Sequence, residues 1–202
     1  MDREQAVEAL ELLRRVVGQA RDDTTLQNWG VIWMVHAVTN AAGFIATNVL
    51  FWRGHSSPWP YALLWSVIVT VNIGSIFVLK SHPSGAWTFF ENMIWLIWLT
   101  FIGTVVLTGV VNHLSGFEVM RLAPIIAVLS VFAFSMMGGM MGKKWFLGSA
   151  IFTAAAMAMA LFPLWQFVIL GTLWGVVQFA GGAFLHRQRR RRLAAGAPSR
   201  LV

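Results

Sequence analysis

His36, Asn40 and Asn72 are the residues whose type and placement could do chemistry here, because each interrupts a run that is otherwise apolar. The stretch WMVHAVTNAAGFIATN, Trp33 to Asn48, carries a histidine, two asparagines and two threonines. On a helix, His36, Thr39, Asn40, Gly43 and Thr47 fall on one face, with Val38, Ile45 and Val49 opposite. His36 and Asn40 are one turn apart, about 6 Å along the axis. Asn72, midway along the next apolar run, lies at a matching depth and can reach Asn40. Polar groups in an apolar surrounding must find partners, so this face is expected to point inward. Imidazole, amide and hydroxyl groups donate and accept hydrogen bonds without a fixed charge. The chemistry they suit is recognition of a small neutral or weakly polar solute, with His36, Asn40, Thr47 and Asn72 as the binding residues. The same groups also serve as glue between helices, worth well under ~2 kcal/mol per bond.

Harder chemistry finds little support in the sequence. There is no cysteine, which removes disulfides, thiolate catalysis and cysteine-ligated metals. No lysine, aspartate or glutamate falls mid-run, so neither a Schiff base nor a carboxylate proton relay has a place; Glu91 and Glu118 sit at run ends. His55, His82, His113 and His186 also lie at run ends, leaving His36 without a second histidine to share a haem iron. SMMGGMMGKK pairs Met136 with Met140 and Met137 with Met141, a spacing superficially like that of soft Cu(I) ligands but read here as flexible packing beside glycine. No catalytic residue, resident cofactor or metal site is expected.

The elements that must position these residues follow from hydropathy. The 202 residues are 57% hydrophobic and 11% charged, where soluble domains carry roughly 25% charged residues. Six apolar blocks stand out, at about 29–52, 60–80, 92–112, 120–141, 145–162 and 164–186, each near the ~20 residues that cross a bilayer. The expected fold is all-α: a polytopic integral membrane protein with a six-transmembrane-helix bundle and a cytosolic N-terminal amphipathic helix. Residues 1–25 form that helix and its linker, 26–186 the transmembrane domain, and 187–202 a basic cytosolic tail. The charged N-terminal stretch does not read as a cleavable signal.

Within the first segment, Ala6, Ala9, Leu10, Leu13, Val16, Val17 and Ala20 make one apolar stripe. That stripe suits a membrane surface, a cytosolic protein partner or a second copy docking through residues 3–21. Arg3, Arg14, Arg15, Arg21, Lys80, Lys143, Lys144 and six arginines after the last run fall on one side, against Arg53 and Arg121 on the other. Cytoplasmic loops collect Lys and Arg, so both termini are expected in the cytoplasm, with the bundle in the cell (inner) membrane. The net charge of +7 is then mainly a topology signal. RQRRRR at 187–192 is expected to meet anionic lipids rather than nucleic acid.

Helix packing has its own signature. Gly171, Gly175 and Gly182 share a face with Gln178, the small-residue surface that lets helices approach closely. Ala-x-x-x-Ala at 37–41 and again at 42–46 has a spacing suited to docking. Trp52, Trp59, Tyr61 and Trp165 gather at the expected outer boundary as an interfacial belt. Two functions fit these features. One is a membrane subunit that binds or translocates a small neutral or weakly polar solute. The other is a non-transporting scaffold or regulator acting through its N-terminal helix and arginine-rich tail.

Overall fold

A computed structural model describes residues 5, 7, 8, 11, 12, 28–79, 89–117 and 119–196. From residue 29 on, the described residues form six long helices in succession: α1 (Trp29–Trp52), α2 (Trp59–Leu79), α3 (Phe89–Leu114), α4 (Leu122–Met141), α5 (Phe146–Leu161) and α6 (Gln166–Gly196). Short 3-10 turns at Val119–Arg121, Lys143–Trp145 and Pro163–Trp165 join the later ones. No strand occurs among the described residues, and six helical stretches are long and apolar enough to cross a membrane. The sixth runs further than its apolar block, continuing as helix through Arg187 to Gly196. Gln5, Val7, Glu8, Glu11 and Leu12 are helical and exposed. The apolar stripe Ala6, Ala9, Leu10, Leu13, Val16, Val17 and Ala20, the linker at 22–25, Lys80 and the tail beyond 196 lie outside the described residues.

Local sequence explains where helices stop. Gly54 takes φ 74 after α1, and Gly116 takes φ 70 after α3, a conformation that side chains with a Cβ resist. Each glycine closes its helix with the same pair of bonds. Gly54 N donates to Phe51 O and His55 N to Leu50 O; Gly116 N donates to His113 O and Phe117 N to Asn112 O. These bonds satisfy carbonyls that a helix end would otherwise leave open. Between α5 and α6, Pro163 sets the 3-10 turn after Phe162, and the chain reverses within a few residues.

α1 and α6 run together over the greatest length, α4 pairs with α5, α3 leans on α4, and α2 rests on α1. Backbone contact explains the first pairing. A Cβ on Gly30 would stand 2.4 Å from His186 N and 2.6 Å from Gly182 O. Gly171 faces Ala41 O and the Phe44 Cβ, and Gly175 faces the Ala41 Cβ. Ala37 and Ala41 are therefore occupied by α6 within the chain itself.

A cluster of rings fills the middle of the bundle. Trp33 meets Trp145 at 5.0 Å and Trp98 at 5.5 Å, both edge to face. Phe134 stacks on Phe152 at 5.3 Å, and Trp174 meets Phe152 and Phe101 at 5.4 Å each. Such pairs contribute about 0.5–1.5 kcal/mol beyond the area they bury. Trp29, Trp33, Trp145 and Trp174 are thus core residues, while Trp52, Trp59 and Trp165 are exposed. The methionine motif divides in the same way: Met137 and Met141 are buried, and Met136 is exposed.

Candidate functional site

The polar residues of the opening stretch meet α2 and α6 in one connected set. His36 Nε2 lies 3.0 Å from the Asn72 carbonyl oxygen and 3.0 Å from Ser75 Oγ. A carbonyl can only accept, so Nε2 is the donor and carries the ring proton. Ser75 Oγ donates to the same Asn72 carbonyl at 2.7 Å. Thr39 Oγ1 donates to Asn72 Oδ1, and Asn72 Nδ2 donates to Asn40 Oδ1 at 2.8 Å. Asn40 Nδ2 then reaches Gln178 Oε1 on α6 at 3.4 Å, and Trp174 Nε1 donates to that oxygen at 2.7 Å. The path runs from Ser75 on α2, across α1, to Trp174 on α6.

Helical spacing produces this arrangement. His36, Thr39 and Asn40 lie within two turns on one side of α1, and Asn72 and Ser75 are three apart on α2. The opposite side of α1 is apolar and turned outward: Val38 and Ile45 are exposed. Burial is graded across the set. Gln178 is 5% exposed, whereas His36, Thr39, Asn40, Asn72 and Ser75 are half-buried. No charged side chain takes part in these bonds. Donors and acceptors alternate, so the set can exchange a partner for a neutral molecule that also donates and accepts. A bare ion would find no counter-charge in it.

Thr47 is not part of this set. Its Oγ1 donates to Gly43 O at 2.9 Å and accepts from Trp65 Nε1 at 3.1 Å, nearly two turns further along α1. It serves a separate contact in which Trp65 and Ile68 close over Gly43 and Trp65 meets Phe44 at 4.8 Å. Gly171, Gly175 and Gly182 lie along the α1 seam, and Gln178 sits among them with its side chain in the polar set. Gln178 therefore belongs to both the packing face and the polar cluster.

Sequence reasoning missed Ser75, Trp174 and Asn28. Ser75 was open to discovery, since it shares a face with Asn72. Trp174 gave no signal, because an indole within an apolar run reads as packing until its N–H is seen to point at an amide. Asn28 Nδ2 donates to Leu79 O at 3.0 Å, and Asn28 Oδ1 accepts from Arg189 Nη1 at 2.7 Å. Among the described residues no group of three or more His, Asp or Glu could hold a metal ion. No protein-family model, curated protein or solved structure matches the chain.

Proposed function

We propose that the chain is an integral protein of the cell (inner) membrane with both termini cytoplasmic. In this reading it is a membrane subunit that binds or translocates a small neutral or weakly polar solute at His36, Thr39, Asn40, Asn72 and Ser75. The observation that carries the reading is the graded burial of an uncharged, hydrogen-bonded polar set. Glue alone would do best sealed on every side, yet only the α6 members, Gln178 and Trp174, are deeply buried, and the α1 and α2 members are half-buried. A solute that both donates and accepts can replace the Asn72 to Asn40 bond one for one, without leaving a group unpaired. The orientation is supported by Lys143, Lys144, Arg187, Arg189, Arg190 and Arg191 at one end of the helices, against Arg53 and Arg121 at the other.

Gentle solubilisation followed by native mass spectrometry tests this directly. The wild type should retain a small molecule, and Asn40→Ala should lose it while keeping its folded yield. Stability loss in Asn40→Ala and His36→Ala, with no small molecule on the wild type, would remove the solute reading.

One observation favours the scaffold reading instead. α6 continues as helix to Gly196 and displays exposed Arg187, Arg190 and Arg191 beyond the apolar stretch. Such a cationic rod suits anionic lipids or an acidic cytosolic partner, alongside a second docking segment at 3–21. Deleting residues 1–21 separates the two: a scaffold loses its partner, and a solute-binding subunit keeps its solute.

A further inference from the structure

α2 is the least embedded helix of the bundle. None of its side chains is fully buried, and among the described residues it packs chiefly along α1. Side-chain hydrogen bonds hold much of it in place: Asn72 and Ser75 to His36, Thr39 and Asn40, and Trp65 to Thr47. Between apolar helices in lipid there is little hydrophobic drive to associate, so these bonds carry much of the hold.

The end of α2 nearest Lys143 and Lys144 is held differently. Asn28 precedes α1 with φ 68, a left-handed conformation that asparagine accepts more readily than most residues. Its Nδ2 donates to Leu79 O, the last carbonyl of α2, while its Oδ1 accepts from Arg189 on α6. That carbonyl is one of those a helix end leaves without an internal partner, at the negative pole of the helix. Arg189 polarises the amide that serves it, so a full positive charge acts on the end of α2 through one side chain. Three helices meet at Asn28.

We infer that α2 is the moving wall of the bundle and that Asn28, braced by Arg189, is the latch that fixes its basic end. Breaking the mid-helix bonds strands amides and an imidazole in an apolar layer, which is costly. Breaking the Asn28 bond frees a carbonyl at a helix end, where water and headgroups can solvate it. The basic end therefore opens first, and its movement uncovers His36 before Thr47. This concerns α2 itself and holds whether or not the polar cluster takes a solute.

The chain has no cysteine of its own, so paired spin labels report only the positions chosen. Val78→Cys with Arg190→Cys spans the basic end, and Leu63→Cys with Phe162→Cys spans the other; Val78, Leu63 and Phe162 are exposed, as is Arg190. Distance distributions are measured in lipid nanodiscs. Asn28→Asp keeps an acceptor for Arg189 but loses the N–H for Leu79 O. It should shift or broaden the 78–190 distribution and leave 63–162 unchanged. Arg189→Gln keeps a donor without the charge and should broaden 78–190 to a lesser degree. A 78–190 distribution unchanged in both variants overturns the latch. Equal broadening of both pairs overturns it too, because α2 would then loosen as a whole.

Discussion

Asn72 donates its amide to Asn40 Oδ1 at 2.8 Å, and Asn40 donates its own amide onward to Gln178 Oε1 at 3.4 Å. One side chain is thus acceptor to α2 and donor to α6. Each bond polarises the next, so the three amides act as a unit rather than as separate contacts.

The coupling between Asn40 and Asn72 should be measurable and modest. A double-mutant cycle with Asn40→Ala and Asn72→Ala, read by unfolding in detergent, should give about 0.6 kcal/mol and no more than ~1.7 kcal/mol. A coupling indistinguishable from zero would mean that the two amides do not meet in the folded protein.

Asn48 offers the opposite case. It is 0% exposed, its Nδ2 donates to Leu164 O at 3.2 Å, and its Oδ1 has no partner. Leu164 O also accepts from Trp52 Nε1 at 3.0 Å, so it stays satisfied without Asn48. Asn48→Leu keeps the approximate shape and removes a stranded buried acceptor, so stability should stay within about 0.5 kcal/mol of wild type or rise. A loss above about 2 kcal/mol in the same unfolding assay would show that Oδ1 has a partner.

The six helices were legible because each apolar block is long and bounded by turn residues or charge. The polar stripe on α1 was legible because helical spacing puts His36, Thr39 and Asn40 together, and depth alone pairs Asn40 with Asn72. Thr47 shares the stripe by angle but not by height, and a wheel discards height; that is why it was grouped with residues it does not touch. The tryptophans were read by position near block ends. Trp33, Trp145 and Trp174 turn inward because rings from several helices stack there, and no single helix records that. Gly30 went unnoticed because its role depends on a backbone more than 150 residues away in the chain.

Topology can be checked in intact cells, again using the absence of native cysteine. Ser57 and Lys143 are both exposed and lie at opposite ends of the helices. On the proposed orientation, Ser57→Cys should react with a membrane-impermeant thiol reagent added outside, and Lys143→Cys only after the cells are broken. The reverse pattern would invert the bundle and place the arginine-rich end of α6 outside.

The seam between α1 and α6 gives the sharpest contrast in the molecule. A Cβ at Gly30 would press on backbone atoms at 2.4 and 2.6 Å, and one at Gly182 on Gly30 O at 2.6 Å. Backbone cannot rotate aside as a side chain can, so Gly30→Ala must push the helices apart, a cost of about 1–3 kcal/mol or more. At Gly175 the nearest atom is the Ala41 Cβ at 3.1 Å, so Gly175→Ala requires only a small shift and Gly175→Leu a large one. Gly103, on α3, has nothing within 4 Å of the same position. Gly103→Ala should therefore be neutral, or stabilising by up to ~1 kcal/mol from helix propensity. Gln178→Leu belongs between these extremes, at about 1 kcal/mol, since Asn40 and Trp174 both lose their acceptor. Thermal unfolding of the four alanine or leucine variants Gly30→Ala, Gly175→Ala, Gln178→Leu and Gly103→Ala should separate them, with Gly30→Ala lowest and Gly103→Ala highest. If Gly30→Ala melts with the wild type, α1 and α6 do not touch backbone to backbone at this crossing.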